Sequence, residues 1–307
     1  MDYQKILDEI YTNIQEELPK GKVANYIPAL ANVNPDQFAM SITLKDGTQY
    51  HVGNYEEQFS IQSISKVLAF SLAIDIYSKS LYKRVGVEPS GSAFNSLVQL
   101  EYENGIPRNP FINAGAIVIA DALMSNFGGE YAALEKIMQF TRAISDDETI
   151  SFDVEVARSE MQHASRNLSL AQLMKSFGNF ENDVHKVVEN YFKQCAITMN
   201  TKTLSRAMMY LAFKGKDPIS KKQFLSASQA KRVNALMLTC GHYDASGEFA
   251  FHVGLPAKSG VGGGIVAVIP NKMSIAVFSP RLNKYGNSHS GTLALEMFTS
   301  MTNLSIF

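Results

Sequence analysis

The sequence lacks the features that would bring a protein to nucleic acid, to a membrane or to an export pathway. Its 28 basic and 29 acidic residues leave a formal net charge of -1, so no excess of one sign exists to attract a polyanion. No apolar run approaches the length of a membrane span. The N-terminal segment has neither the basic region nor the apolar region of a signal peptide. We therefore expect a soluble cytoplasmic protein that binds neither nucleic acid nor membranes.

Cysteine and metal-binding patterns are also scarce. The two cysteines, Cys195 and Cys240, are too few for a disulfide framework, which suits a reducing compartment. Cys240 and His242 are close in sequence, but adjacency alone does not indicate a cysteine hydrolase, and buried packing is the simpler interpretation of both thiols. No metal site is expected, because H-E-x-x-H or other ligand spacing is missing among the six histidines, which are His51, His163, His185, His242, His252 and His289.

The remaining composition can build a large core. The chain has 307 residues, of which 46% are hydrophobic, so it could form one large domain or two smaller ones. Residues 2–17 carry apolar side chains at helical spacing, which predicts an N-terminal helix. Residues 38–52 alternate between apolar and polar side chains on either side of Asp46-Gly47, which predicts a β-hairpin.

Helical periods dominate from residue 61 to residue 239. They are interrupted by breakers such as VGVEPSGS at 85–92, and Ser169 and Ser226 are candidate helix-capping residues. The predicted helices span residues 66–79, 113–127, 130–141, 153–162, 170–177, 183–196, 201–213 and 226–239. After Gly241 the pattern changes to three β-rich runs and a closing helix, at residues 249–254, 263–270, 273–280 and 288–302.

These elements predict an α+β fold. The simplest arrangement is one antiparallel sheet of about five strands flanked by the N- and C-terminal helices. We expect a single domain over residues 1–307, in which residues 1–60 and 241–307 form an α/β lobe and residues 61–240 form a mainly helical lobe. A ligand cleft would then lie between the lobes.

The stretch QSISK at residues 62–66 is the first candidate for chemistry. If a helix begins near residues 60–63, Ser63 and Lys66 share one face, and a lysine whose pKa is lowered by burial could take the proton of the serine hydroxyl. The alternative is that Ser63 only caps the helix while Lys66 extends to solvent, and this alternative is favoured for so short a pattern alone. Ser65 is a weaker candidate nucleophile, because neighbouring side chains on a helix diverge.

The stretch KSGVGGG, which begins at Lys258, changes that balance. Small residues beside a strand let backbone approach a ligand closely, although a bulged turn would also fit, and the order of a phosphate loop is missing. In serine acyl-transfer enzymes of the penicillin-binding type, S-x-x-K opens a helix and a K-[ST]-G edge strand faces it. The two motifs have the same order here, so together they favour a serine hydrolase.

Two further stretches contain polar residues that could face the same cleft. Glu160 and Asn167 are two helical turns apart if their helix continues, and Glu160 could bind a substrate ammonium. The alternative is a solvated helix end. Asn113 opens an apolar helix, where it could be an N-cap and could also present its amide to a ligand.

Several motifs together resemble the serine-dependent glutaminase family over nearly the whole chain. That resemblance implies a β-lactamase-like fold and hydrolysis of L-glutamine to L-glutamate and ammonia without a metal or organic cofactor. It also implies a homo-oligomer, either a homodimer or a homotetramer. The motifs are NYIPALA (25–31), QSISK (62–66), NPFINAGA (109–116), SEMQHASRN (159–167), NYFKQC (190–195) and CGHYDASGEFAFHVGLPAKSGVGGGI (240–265).

The resemblance also implies roles for individual residues. Ser63 would be the nucleophile and Lys66 its proton acceptor, and the backbone amides of Ser63 and Val261 would hold the oxyanion. Tyr243 and Tyr26 would relay protons at the reacting centre. Glu160 would bind the α-ammonium of the substrate. Three further residues would hold its α-amino and α-carboxylate ends, namely Asn113, Asn167 and Tyr191.

Two other functions stay open on the sequence. The first is another serine acyl enzyme of this fold, acting on β-lactams or D-amino-acid peptides, although the absence of an export signal counts against cell-wall substrates. The second is a non-catalytic protein that binds glutamine, although the presence of both Ser63 and Lys66 counts against it.

Overall fold

The structure is a computed structural model that describes residues 1–90 and 97–307. Its centre is an antiparallel sheet of five strands in the order β2-β1-β7-β6-β5. A separate two-stranded sheet pairs β3 with β4. The strands are β1 Ala39–Leu44, β2 Gln49–Gly53, β3 Phe59–Ser60, β4 Thr198–Met199, β5 Ala257–Ser259, β6 Gly264–Ile269 and β7 Met273–Phe278.

The described residues also form thirteen α-helices, and none of them is long and apolar enough to cross a membrane. The helices are α1 Tyr3–Ile14, α2 Ser65–Tyr77, α3 Leu97–Tyr102, α4 Asn113–Phe127, α5 Glu130–Ser145, α6 Val154–Gln162, α7 Ser165–Ser176, α8 Val184–Cys195, α9 Thr201–Ala207, α10 Met209–Ala212, α11 Ala227–Cys240, α12 Ser246–His252 and α13 His289–Thr302. The predicted breaker at residues 85–92 lies partly outside the described residues.

The N-terminal hairpin forms as its sequence predicts. The Asp46 carboxylate accepts a hydrogen bond from the Thr48 amide at 3.0 Å, and Gly47 adopts a φ of 93°, which glycine tolerates without strain. This turn sets the register in which Thr43 pairs with Gln49. The hairpin is joined to the rest of the sheet through β1, whose other edge pairs with β7.

Helices cover both faces of the sheet. Alternate side chains of β7 enter different cores, because Ile275 and Val277 pack with α1 and α13, whereas Ala276 and Phe278 pack with the central helices. The predicted sheet flanked by the first and last helices is therefore confirmed. On the opposite face, α9, α10 and α11 pack against the strands. The edge strand β5 lies beside α11, which brings the KSG stretch toward the helices.

One predicted strand is wrong. Residues 249–254 belong to α12 and the turn after it, and the fifth strand is β5 instead. Phe249 and Val253 are buried, whereas Phe251 between them is 85% exposed. Positions four apart share one helical face, so a short apolar run with this spacing fits a helix as well as a strand.

Two predictions about the helices are also wrong. Ser169 does not begin a helix, since α7 starts at Ser165 and the Ser169 hydroxyl donates to the Ser165 carbonyl inside it. The predicted helix over 201–213 is interrupted at Met208, which separates α9 from α10. Ser226 does cap α11, and Gln229 completes a capping box by accepting a hydrogen bond from the Ser226 amide.

We expect the Ser226→Ala variant to be destabilised by about 1 kcal/mol, because the substitution removes the capping oxygen of α11. Chemical denaturation followed by circular dichroism measures this change. Ser228→Ala is the matched control, since Ser228 is exposed in the first turn of the same helix and caps nothing. Equal stability of the two variants would contradict the assigned cap.

Candidate active site

Ser63 lies in the turn that leads into α2. Residues Gln62–Ile64 form a 3₁₀ turn, and α2 follows from Ser65 without a side-chain cap. Ser63 is therefore not the cap of this helix, and Lys66 is only 1% exposed. The alternative of a capping serine and a solvent-directed lysine is thus wrong. Ser65 is turned toward α8, where its hydroxyl accepts a hydrogen bond from Gln194 at 3.2 Å.

Lys66 is held by acceptors from the segment that opens α4. Its Nζ donates to the Phe111 carbonyl at 3.1 Å and to Asn113 Oδ1 at 2.8 Å. Burial lowers the pKa of Lys66 to about 8, while the negative charges that Cys195 and Glu160 can carry act in the opposite direction. Near neutral pH, the fraction of Lys66 in the neutral form is therefore far larger than that of an exposed lysine.

Asn113 connects Lys66 to two other helices. Because Asn113 Oδ1 accepts from Lys66, its Nδ2 faces α7 and donates to Asn167 Oδ1 at 3.0 Å. The Tyr191 hydroxyl of α8 approaches the same Oδ1 at 3.5 Å. The N-cap of α4 is Ile112, so Asn113 is not an N-cap. The structure thus brings Lys66, Asn113, Asn167 and Tyr191 together.

Glu160 and Asn167 reach this cluster from two helices. The helix does not continue from one to the other, because α6 ends at Gln162 and α7 begins at Ser165. Glu160 is 8% exposed and lies within hydrogen-bonding reach of the Gln62 side chain. Burial raises the pKa of Glu160 to about 7, against the opposing effects of Gln62 and Lys66. Its Oε1 is buried without a hydrogen-bond partner in residues 1–90 and 97–307. The solvated-helix-end interpretation of Glu160 is therefore wrong.

The glycine-rich loop between β5 and β6 packs directly on the turn that contains Ser63. A Cβ on Gly260 would lie 2.6 Å from the Ile61 carbonyl oxygen and 3.3 Å from the Ser63 amide nitrogen. A Cβ on Gly262 would lie 2.6 Å from the Ser60 carbonyl oxygen. These approaches leave no room for side chains, so the glycines allow β5 to reach the start of α2. Val261, between them, is half-buried beside this contact.

Tyr243 and Tyr26 both lie near the cluster around Ser63 and Glu160, but they differ in exposure. The Tyr243 hydroxyl lies within hydrogen-bonding reach of Ser63 and Ser259, and burial raises its pKa to about 12. Tyr26 is 55% exposed, yet the pKa of its hydroxyl is raised well above the usual value, first by burial and then by Tyr243 and Glu160. Tyr26 is therefore close enough to Tyr243 and Glu160 to feel their charges, while more than half of its surface is exposed.

Two members of the cluster were not assigned roles from the sequence. Gln62 adopts a φ of 49°, which is uncommon for a residue with a side chain, and it lies beside Glu160. Its position directly before Ser63 is the only sequence signal for it. Lys258 is completely buried against Tyr243, whereas the sequence indicated only its place in the KSG motif. In the described part of the chain, no group of three or more His, Cys, Asp or Glu residues could hold a metal ion.

Comparison with known sequences agrees with this arrangement. The sequence model of the glutaminase family matches residues 21–307. This chain belongs to the glutaminase family. A glutaminase from Aliarcobacter butzleri is 57% identical to this family member over 307 residues, which is 100% of each chain. A glutaminase from Rhizobium johnstonii is 53% identical over 306 residues, covering 100% of this chain and 99% of its own.

Solved glutaminase structures share the fold of this family member. A Bacillus subtilis glutaminase aligns with a TM-score of 0.90 and 35% identity over 100% of both chains. That protein was solved as a covalent complex with 5-oxo-L-norleucine, formed by reaction with 6-diazo-5-oxo-L-norleucine. The predicted α+β class, with a five-stranded antiparallel sheet and many helices, is thus confirmed.

Proposed function

We propose that this chain hydrolyses the side-chain amide of L-glutamine to L-glutamate and ammonia through an acyl-enzyme on Ser63. The observation that carries the proposal is the buried Lys66 amine, three residues after Ser63 and bound to two acceptors. Membership of the glutaminase family supports the substrate, as does the covalent adduct of the Bacillus subtilis relative with a glutamine-like ketone.

Lys66 is suited to accept the proton of Ser63. A neutral lysine has two N–H bonds and one lone pair, and the Phe111 carbonyl and Asn113 Oδ1 occupy two donors. The lone pair then remains to accept the proton of the Ser63 hydroxyl. As Ser63 Oγ attacks the substrate carbonyl, its proton passes to Lys66, and the amide carbonyl becomes an oxyanion.

The oxyanion would be stabilised by the backbone amides of Ser63 and Val261. The loop approach at Gly260 brings the segment around Val261 to the Ser63 amide. Backbone N–H groups fixed in this way need no reorganisation when charge develops, which makes them effective stabilisers of the tetrahedral intermediate.

Tyr243 and Tyr26 would complete the proton path. When the tetrahedral intermediate collapses, the bond from carbon to nitrogen breaks, and the departing nitrogen needs a proton. The Tyr243 hydroxyl beside Ser63 can donate it and recover it from Lys66, with Tyr26 in the same relay. Water then attacks the Ser63 ester and gives a proton to Lys66. The bond from the acyl carbon to Ser63 Oγ breaks, Ser63 takes this proton back, and L-glutamate leaves.

The polar cluster around Glu160 would select an amino acid. The unpartnered Oε1 of Glu160 can accept the α-ammonium, and Asn113, Asn167 and Tyr191 surround the place for the α-amino and α-carboxylate groups. A simple amide would leave these buried groups unpaired, so the site would discriminate against it.

The proposal includes the surroundings of the enzyme. We place it in the cytoplasm, to which the two buried free thiols are suited, and we propose a homodimer or homotetramer. The single domain would comprise an α/β lobe of residues 1–60 and 241–307 and a helical lobe of residues 61–240.

The decisive experiment follows ammonia release from L-glutamine by the purified protein. Rapid release supports the proposal, and D-glutamine, L-asparagine and butyramide test which substrate groups are needed. Turnover of nitrocefin without turnover of glutamine would assign the site to β-lactam chemistry. Tight glutamine binding without ammonia release would identify a binding protein.

We expect Ser63→Ala to lose at least a thousandfold in kcat, roughly as other serine acyl enzymes do, while L-glutamine still binds. Binding persists because Glu160 and its neighbours, rather than Ser63, hold the amino-acid ends. Ammonia release and calorimetric binding measure the two effects. Ser65→Ala is the matched control, since the adjacent hydroxyl faces Gln194 instead of the cleft. Unchanged turnover in Ser63→Ala would refute the nucleophile.

We expect kcat/KM to increase from about pH 6 to about pH 8, because Glu160 must be ionised and Lys66 must be neutral. Burial sets their pKa values to about 7 for Glu160 and about 8 for Lys66, so rising pH favours both required states. In the substrate complex the ammonium pairs with Glu160 and keeps it ionised. The pH dependence of kcat should therefore show only the titration of Lys66. An optimum near pH 5, with folding verified at each pH, would contradict this assignment.

We expect Gly260→Ala to lower kcat by about 100-fold, because its methyl group would push the loop away from the Ser63 turn. Gly247→Ala is the matched control, because nothing lies within 4 Å of a Cβ added at Gly247. Ammonia release and thermal unfolding should be measured for both. Similar kcat values for the two variants would show that the close approach is not needed.

A further inference from the structure

Lys258 is a buried amine that the proposed reaction does not use. It lies on the edge strand β5 with no exposed surface, and its Nζ donates to the Ser259 carbonyl at 2.6 Å. Within residues 1–90 and 97–307, Lys258 forms no salt bridge with a carboxylate, and the charged groups that shift its pKa are Lys66, Cys195 and Cys240. Burial, with the charge of Lys66, holds the pKa of Lys258 well below its usual range.

A buried lysine of this kind lowers the stability of the folded state, so packing does not account for its presence. A buried ammonium without a carboxylate loses its hydration and gains little in return, and an apolar side chain of similar length would avoid this loss. The unfolded chain binds the Lys258 proton more tightly than the folded chain does, so this group disfavours folding below its usual pKa. Its amino group is therefore unexplained by packing alone.

The amino group of Lys258 faces Tyr243. The Nζ lies 4.5 Å from the centroid of the Tyr243 ring, within the range of a cation–π contact. Tyr243 itself has a φ of 54°, a strained conformation for a bulky residue, which its surroundings must maintain. Its hydroxyl lies within hydrogen-bonding reach of Ser63 and Ser259.

We propose that Lys258 is a positioning residue that holds the Tyr243 ring in place, so that its hydroxyl remains beside Ser63. This inference rests on the proposed role of Tyr243 in proton transfer to the departing ammonia. The same contact would stabilise Tyr243 during proton transfer. The Tyr243 oxygen gains negative charge when its proton leaves, and Lys258 at the ring face stabilises that charge. The charge of Lys258 also reaches His242, the residue before Tyr243.

The first test is Lys258→Met, which keeps the length of the side chain and removes the amino group. We expect kcat to fall by about 10- to 100-fold, as for a displaced general acid, with KM for L-glutamine nearly unchanged. The melting temperature should equal or exceed that of the wild type, since an apolar side chain replaces a buried amine. Lys45→Met, at the exposed hairpin turn, controls for loss of a lysine. Unchanged kcat would overturn the proposal.

The second test is a double-mutant cycle with Tyr243→Phe. If Lys258 acts through Tyr243, the double variant should be no slower than Tyr243→Phe alone. Independent, additive losses would overturn the assignment.

A wild type that is inactive on glutamine would instead refute the proposed function, and crystal structures would then test the positioning role. Tyr243 displaced in Lys258→Met supports the role, and an unmoved ring refutes it. If that variant does not fold, Lys258→Ala with added propylamine replaces it, and rescue by the amine but not by propanol is expected; no rescue counts against the proposal.

Discussion

The architecture of the site depends on burying the amine of Lys66, which forms no salt bridge within residues 1–90 and 97–307. Such a group must find acceptors, and they come from the Phe111 carbonyl and from Asn113. Because the Asn113 oxygen accepts a hydrogen bond from Lys66, its amide nitrogen faces Asn167, to which it donates. Tyr191 approaches from a further helix. One desolvated nitrogen thereby fixes the relative positions of α2, α4, α7 and α8.

Local patterns in the sequence predicted much of this protein. The hairpin followed from the turn at Asp46 and Gly47, and the cap of α11 followed from Ser226, because each depends on a few neighbouring residues. The order of the S-x-x-K and KSG motifs also indicated that Ser63 and the edge strand would meet. Motifs of this kind are informative because the chemistry restricts both the residue types and the elements that present them.

Other features depend on contacts that no local pattern contains. The run at residues 249–254 fits a strand and a helix equally well, and the burial of Phe249 and Val253 on one helical face decides between them. Glu160 and Asn167 meet Lys66 from separate helices, so their spacing along the chain was a poor guide to their geometry. Gln62 and Lys258 gain their places in the cluster only when distant segments pack.

The order of strands in the sheet has a consequence for how the protein emerges during synthesis. The hairpin of β1 and β2 pairs through β1 with β7, which follows it in the chain only after the long helical segment. Until that strand is made, one edge of β1 has no partner and could pair with another nascent chain. The loop that packs on Ser63 is also made late. The sheet can therefore close, and the active site can assemble, only after β7 has been made, which makes slow folding an expected property of this topology.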